Sequence, residues 1–346
     1  MNFCSDNAAG AAPAVMESLI KANEGHAMPY GNDPLTLRVE DKIRETFECD
    51  AEVFLVSTGT AANALSLSTM VPSWGAVLCH KSAHIEVDEC GAPEFFTGGA
   101  KLVALDNDNG KITVKGLQAG WDSNERTVHQ VQPKAVSITQ ASEAGTIYQL
   151  DDIRAISAKS RELGLHLHMD GARFANALVS LDCTPAEMTW KAGIDVLSFG
   201  GSKNGCMAAE AVVLFNRDLA ENFGFRRKRA GHLFSKMRFI SAQFDAYLND
   251  DLWLINARHA NTMAAQLHKG LSSIDGAKFE TPVEANELFV DLPANVVDGL
   301  EADGFQFYRW GDENGTVIRL VTAFNTKAED VDAFIESAKK HAGSQS

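Results

Sequence analysis

The stretch "LDDIRAISAKSRELGLHLHMDGAR", residues 150–173, holds the pattern from which the fold follows. Leu150, Ile153, Ile156 and Leu163 fall near one face at helical spacing, and Gly164 is a suitable residue to end the helix. "LHLHM" (165–169) then reads as a short buried strand, after which the chain turns polar at Asp170. The same alternation runs outward in both directions. "EVFLVS" (52–57), "AVLCH" (76–80), "KLVAL" (101–105), "AVSITQ" (135–140), "VLSFG" (196–200) and "AVVLFN" (211–216) read as further strands with helical patterns between them. Strands alternating with helices predict an α/β protein whose mostly parallel central sheet is covered on both faces. "NDNGK" (107–111) and "GWDSNER" (120–126) read as surface turns.

From about residue 250 the texture changes. A long helical stretch (253–274) precedes strand-like "ELFVDL" (287–292), "FQFYRW" (305–310) and "TVIRLVTAF" (316–324), and a helix over roughly 327–341 closes the chain. The spacing predicts a large domain over 1–250 and a smaller α+β domain with an antiparallel sheet over 251–346. There is no internal repeat and no low-complexity tract.

Composition narrows the function classes. The 346 residues are 45% hydrophobic and 22% charged, as in a soluble globular protein. The net charge of −15 disfavours nucleic acid as a partner. The run "FRRKRAG" (225–231) reads either as a solvated helix face or as an anion site or subunit contact. Six cysteines without C-x-x-C or metal-like spacing read as reduced thiols, and no metal site is expected. No signal peptide is visible, and no run approaches the about 18 apolar residues of a membrane span. A cytoplasmic, soluble protein is the expectation.

Four polar clusters fall at expected strand ends, where open α/β sheets bind ligands. "STGTAAN" (57–63) leaves backbone N–H groups free at a helix start, with Ser57, Thr58 and Thr60 as hydroxyl donors; it is either an anion cradle or ordinary capping. In "HMDGAR" (168–173), Asp170 is either a helix cap with Arg173 as counterion, or an acid that holds a proton on a ligand nitrogen beside an arginine fork for a carboxylate. In "VLSFGGSKNG" (196–205), Lys203 stands among glycines and small polar residues, either as a snorkelling lysine or as a nucleophilic amine. His84, in "HKSAHIEVDECGAPEFF" (80–96), is either a structural histidine or a residue that stacks on an aromatic ligand or shuttles protons. Taken in order, these supply what a pyridoxal-phosphate enzyme needs: a phosphate anchor, a ring stack, a partner for the pyridine nitrogen and a Schiff-base lysine.

These residues resemble a known family. "SDN" (5–7), "MPYGNDP" (28–34), "STGTAAN", "AHIEVDECGAPEF", "HMDGARFANA" and "FGGSKNG" are similar to the L-threonine aldolases, of the aspartate-aminotransferase-like (type I) pyridoxal-phosphate fold. The likeness is to the bacterial low-specificity members, which cleave threonine, allo-threonine and β-aryl-serines to glycine and an aldehyde. It implies pyridoxal 5′-phosphate carried covalently on Lys203, with Asp170 on the pyridine nitrogen and His84 on the ring. It implies Thr58, Gly59 and Thr60 at the phosphate, and Ser5, Arg173 and Arg319 on the substrate carboxylate. It further implies a homodimer or homotetramer with shared active sites, to which Tyr30 contributes across the interface, with Arg229 as a further phosphate contact there. In one respect the chain departs from the better-known members: "TQASEAGT" (139–146) has no histidine where they carry a second one. On this reading His84 is the candidate for proton transfer. A phenylserine-preferring aldolase or another β-eliminating lyase of the same fold is the nearest alternative, and a non-catalytic phosphate binder a more distant one.

Overall fold

Seven strands form the large sheet: β1 (Glu52–Val56), β2 (Gly75–His80), β3 (Lys101–Leu105), β4 (Gln132–Thr139), β5 (His166–Gly171), β6 (Val196–Gly200) and β7 (Glu210–Leu214). Their order is β1-β7-β6-β5-β4-β2-β3 in the computed structural model, which describes residues 1–343. β2 to β6 pair in parallel, whereas β7 runs antiparallel to both β6 and β1. All residues of β6 and β7 are buried, as expected of strands covered on both faces. Alternate residues divide between two cores: Leu197, Phe199, Ala211 and Val213 face one, while Val196, Val212 and Leu214 face the other.

The covering helices follow from their sequences. The stretch Leu150–Glu162 is helical as expected, with Ile153 and Ile156 buried and Gly164 at φ +68° just past its end. Acids in its first turn and Lys159 and Arg161 in its last complement the helix dipole. The helix Gly59–Met70 carries no charged residue on any face, only small, apolar and uncharged polar ones, and is accordingly buried along most of its length.

The second sheet comprises β8 (Lys278–Phe279), β9 (Glu287–Asp291), β10 (Tyr308–Arg309) and β11 (Val317–Val321), ordered β10-β11-β9-β8 and wholly antiparallel. The helix Leu252–Leu271 joins the two parts, with Trp253 and Ala257 in the large core and Leu267 and Leu271 in the small one. The chain start also belongs to the small core, where Phe3 meets Phe334 edge-on at 5.2 Å.

That contact explains a difference from the sequence reading, which has one strand over 305–310. Here Gln306 pairs with the N-terminal segment, through Phe3 N to Gln306 O (2.8 Å) and Gln306 N to Met1 O (2.9 Å), so only Tyr308–Arg309 is left to pair with β11. The last three residues of the expected small domain, 344–346, lie outside the described residues. Among the described residues no helix is long and apolar enough to cross a membrane.

Candidate active site

Polar groups collect at the carboxyl edge of the large sheet. Because β7 runs against its neighbours, its first residue, Glu210, pairs with Val56 at the end of β1 and Gly200 at the end of β6. Lys203 follows β6 in one tight turn, Ser202–Asn204, that is pinned from behind. Asn204 Nδ2 donates to Tyr247 Oη and to the Trp253 carbonyl, both at 2.8 Å, and Asn256 Nδ2 donates to the Asn204 carbonyl at 2.9 Å. The flanking glycines are needed for this: a Cβ at Gly201 would stand 2.7 Å from the Ala209 carbonyl, and Gly205 has φ +114°. The backbone is thus fixed while the Lys203 amine, facing the cleft, makes no hydrogen bond or ion pair among the described residues.

Beneath Lys203 lies Glu210, which accepts from the N–H groups of Gly201 (3.3 Å) and Ser202 (3.4 Å). Burial pushes its carboxyl up to about 7, against the pull of Ser202 and Lys203.

Asp170 ends the buried core of β5, paired with Thr139 of β4 and Ser198 of β6. Its Oδ1 accepts from Ala172 N (3.0 Å) and its Oδ2 from Asn63 Nδ2 (2.8 Å). Asn63 reaches the site from the helix Gly59–Met70 and donates also to Glu89 Oε1 at 2.8 Å. Glu89 Oε1 in turn accepts a hydrogen bond from His84 Nδ1 at 2.9 Å. That hydrogen bond outweighs desolvation and raises the His84 pKa, while burial raises that of Glu89. A continuous chain therefore runs from His84 through Glu89 and Asn63 to Asp170.

Two adjoining hollows meet at Lys203, His84 and Asn7. The first, about 390 Å³, is bounded by Thr58, Gly59, Thr60, Asn63, Asp170 and Glu210. Thr58 caps its helix through Oγ1 to Ala61 N (3.2 Å), and the N–H groups at Gly59 and Thr60 have no acceptor within the helix. The second hollow, about 380 Å³, is bounded by Ser5, Glu143, Arg173, Tyr308, Trp310 and Arg319. Arg173 is buried and forks onto Asp6, with Nε to Oδ2 at 2.8 Å and Nη2 to Oδ1 at 3.2 Å, while its Nη1 lies 3.2 Å from Glu287. Burial works against both charges of this pair. Asp6 and Glu287 nonetheless hold Arg173 above its usual range, and Arg173 and Lys203 hold Asp6 below its own. Arg319 leans on Glu287 through Nε and on the Cys4 carbonyl through Nη1 (3.4 Å), and its guanidinium packs over Trp310 at 5.5 Å. Ser5 Oγ accepts from Asn7 N at 3.1 Å.

Lys203, His84, Asp170, Thr58, Gly59, Thr60, Ser5, Arg173 and Arg319 are thus brought together as the sequence predicts. Tyr30 and Arg229 are not: both are exposed away from the cleft of their own chain, and Tyr30 sits with its ring 4.7 Å from Lys228 Nζ. Sequence reasoning missed Asp6, Asn63, Glu89, Glu143, Glu210 and Glu287. Asn63 and Glu89 stand inside the motifs quoted above, but nothing in spacing marks them as joined.

The donor set suits pyridoxal phosphate. Asp170 is a buried carboxylate with no cationic partner among the described residues, which a protonated ring nitrogen would supply. Thr58, Gly59 and Thr60 offer the helix-start donors that a phosphate takes. An added Cβ at Gly59 would meet nothing within 4 Å, so the cradle is open on the side a ligand would enter.

Sheet, reversed strand and strand-end lysine define an α/β protein of the aspartate-aminotransferase-like (type I) class. The chain belongs to the β-eliminating lyase family, whose model matches residues 2–295. It is 46% identical to a low-specificity L-threonine aldolase of Pseudomonas aeruginosa over 95% of this chain and 94% of that protein. It is also 46% identical to a Pseudomonas sp. protein of the same description, over 94% and 93% of the two chains. The solved threonine aldolase of Leishmania major superposes with a TM-score of 0.93 at 31% identity, over 99% of both chains.

Proposed function

We propose that this chain is a pyridoxal-phosphate-dependent aldolase that cleaves L-threonine, L-allo-threonine and related β-hydroxy-α-amino acids to glycine and an aldehyde. One observation carries the reading: a lysine amine and a buried carboxylate, neither with an ion-pair partner among the described residues, share one cleft with two arginines. The 46% identity to low-specificity threonine aldolases supports the choice of reaction.

When bound, the cofactor supplies an electron sink for the bonds at the substrate Cα. Lys203 is the amine that would hold it covalently. Asp170, oriented by Asn63 and Ala172 N, would keep a proton on the ring nitrogen. Glu89 fixes the His84 ring through Nδ1, so that the ring lies as one face of the cofactor hollow. Arg319 and Arg173 hold the substrate carboxylate, with Ser5 beside them, and so select which Cα bond is aligned to break. The half-exposed Tyr308 and Trp310 form an aromatic side to the substrate hollow, which supports acceptance of β-aryl as well as β-methyl substrates.

The reading carries further assignments: a cofactor-binding large domain over 1–250 and a small domain from 251 on, and a cytoplasmic location supported by six free cysteines. It also includes a homodimer or homotetramer, in which Tyr30 and Arg229 serve the neighbouring site. Exposed Met28, Tyr30, Met207, Phe225 and Phe234 support burial of apolar surface against a second copy.

Incubation with threonine, allo-threonine and phenylserine tests the reaction. Glycine and the matching aldehyde in equal amounts are expected; pyruvate and ammonia would instead mark a β-eliminating lyase. Arg319→Ala is expected to raise KM for each substrate by roughly 10- to 100-fold, the effect of losing a charge-assisted contact. A KM within a factor of two of the parent would remove Arg319 from the carboxylate site.

A further inference from the structure

Three carboxyl groups line the substrate hollow and a fourth, Asp6, is bonded to its lining residue Arg173; they are not alike. Asp6 and Glu287 are consumed by Arg173 and Arg319. Asp88 stands at the solvent-exposed rim. Glu143 alone is set within the hollow, and it makes no hydrogen bond or ion pair among the described residues.

The backbone on either side of it, by contrast, is tied down. Ser142 and Thr146 close a tight turn through Ser142 N to Thr146 O (2.9 Å) and through their hydroxyls (2.7 Å). Thr146 Oγ1 donates to the Asn109 carbonyl at 2.6 Å, and Thr281 Oγ1 donates to the Ala144 carbonyl at 2.8 Å. Gly145 has φ +72° and lies so close to β9 that a Cβ would stand 2.5 Å from the Glu287 carbonyl. A turn built this firmly around one carboxylate that the fold leaves unpaired is a device for presenting that carboxylate to something else.

The geometry points to Glu143 as the base that takes the β-hydroxyl proton of the substrate, a role that rests on the aldolase reading above. His84 is poorly suited to it. Its Nδ1 is spent on Glu89, and that bond favours the protonated ring. In the step assigned to Glu143, the hydroxyl proton passes to the carboxylate and the O–H pair becomes the second C–O bond of the aldehyde. The Cα–Cβ bond breaks with its pair left on Cα, which takes a proton from water to complete glycine. Glu143 then returns its proton to water.

The surroundings make this carboxylate a stronger base than a free glutamate. Burial raises the Glu143 pKa, since the group lies deep in the molecule though open to the hollow; Lys203 and Arg173 oppose the rise, and Glu287 and Asp170 add to it. His84, Asp88 and Arg319 also face it across the hollow, and burial pushes Glu210, in the adjoining hollow, up to about 7. The active form is the carboxylate, so kcat should fall as pH drops through a value above the ordinary glutamate range.

Glu143→Gln preserves shape and removes the base. With cofactor-loaded protein, phenylserine and threonine cleavage should fall roughly 10²- to 10⁴-fold, and the acidic limb of the wild-type kcat profile should vanish. Glycine has no β-hydroxyl, so its binding, read from the cofactor absorbance, and its α-hydrogen exchange in D₂O should stay within threefold of wild type. Glu143→Asp should fall between the two in cleavage. Cleavage by Glu143→Gln within threefold of wild type would overturn the proposal, and so would a parallel loss of glycine exchange, which would mean a structural role. A wild-type protein that exchanges glycine hydrogen yet cleaves neither substrate would instead overturn the aldolase reading itself.

Discussion

Lys203→Ala should lose turnover by roughly 10³-fold or more, because removing the covalent nucleophile removes a bond that no other group at the site can form. Among the described residues no second lysine borders either hollow, so there is no local substitute for the amine. The loss should be specific. The pins behind the turn act on Asn204, not on Lys203, and the side chain makes no contact that holds the fold. The cofactor-free variant should therefore keep the melting temperature of the cofactor-free parent and still take up cofactor through Thr58, Gly59, Thr60 and Asp170, from which denaturation releases it even after borohydride treatment. Borohydride treatment followed by peptide mass measurement reads the difference directly. The parent should carry the cofactor mass on the peptide containing Lys203, and the variant should carry none. Cleavage of threonine at an unchanged kcat/KM, or a cofactor label fixed elsewhere in the chain, would remove Lys203 from its role.

Why Lys203 was legible in the sequence, and Glu143 or Glu210 was not, has a physical basis. A parallel strand delivers the residue that follows it to the ligand-binding edge, so a buried apolar run ending in an unusual polar residue locates that residue without further information. Asp170, Lys203 and the "STGT" turn are all of this kind. Glu210 opens a strand instead of ending one, and it reaches the site only because β7 runs antiparallel, a direction that an apolar run does not encode. Asn63 and Glu89 lie 26 residues apart and meet through the packing of a helix against the following loop. Asp6 meets Arg173 across 167 residues, which no local pattern reveals. The same limit applied to the fold. Strands long enough to show a run of apolar residues were readable, whereas β8 and β10, two residues each, exist only by virtue of their partners.

Asp170 marks the other end of the same chemistry, and its replacement should cost nearly as much as that of Lys203. The carboxylate is 3% exposed, accepts two hydrogen bonds and has no cation beside it among the described residues. A buried charge left in that condition is expensive unless a ligand completes it. Asp170→Asn separates charge from shape. The amide fits the same space and keeps an oxygen for Asn63 or Ala172, but it cannot hold a proton on a ring nitrogen. Loss of one preorganised electrostatic partner lowers kcat by roughly 10²- to 10³-fold, and Asp170→Ala should do at least as much. Stability moves much less, since Asp170→Ala leaves the Asn63 and Ala172 donors without their acceptor at about 1–3 kcal/mol. Relief of an unpaired buried charge offsets part of that in the cofactor-free protein. Thermal unfolding of cofactor-free parent and variant should therefore nearly coincide, whereas the stabilisation gained on adding pyridoxal phosphate should be smaller in both variants. A kcat for Asp170→Asn equal to the parent's, with full cofactor occupancy, would show that the negative charge at the end of β5 takes no part in the reaction.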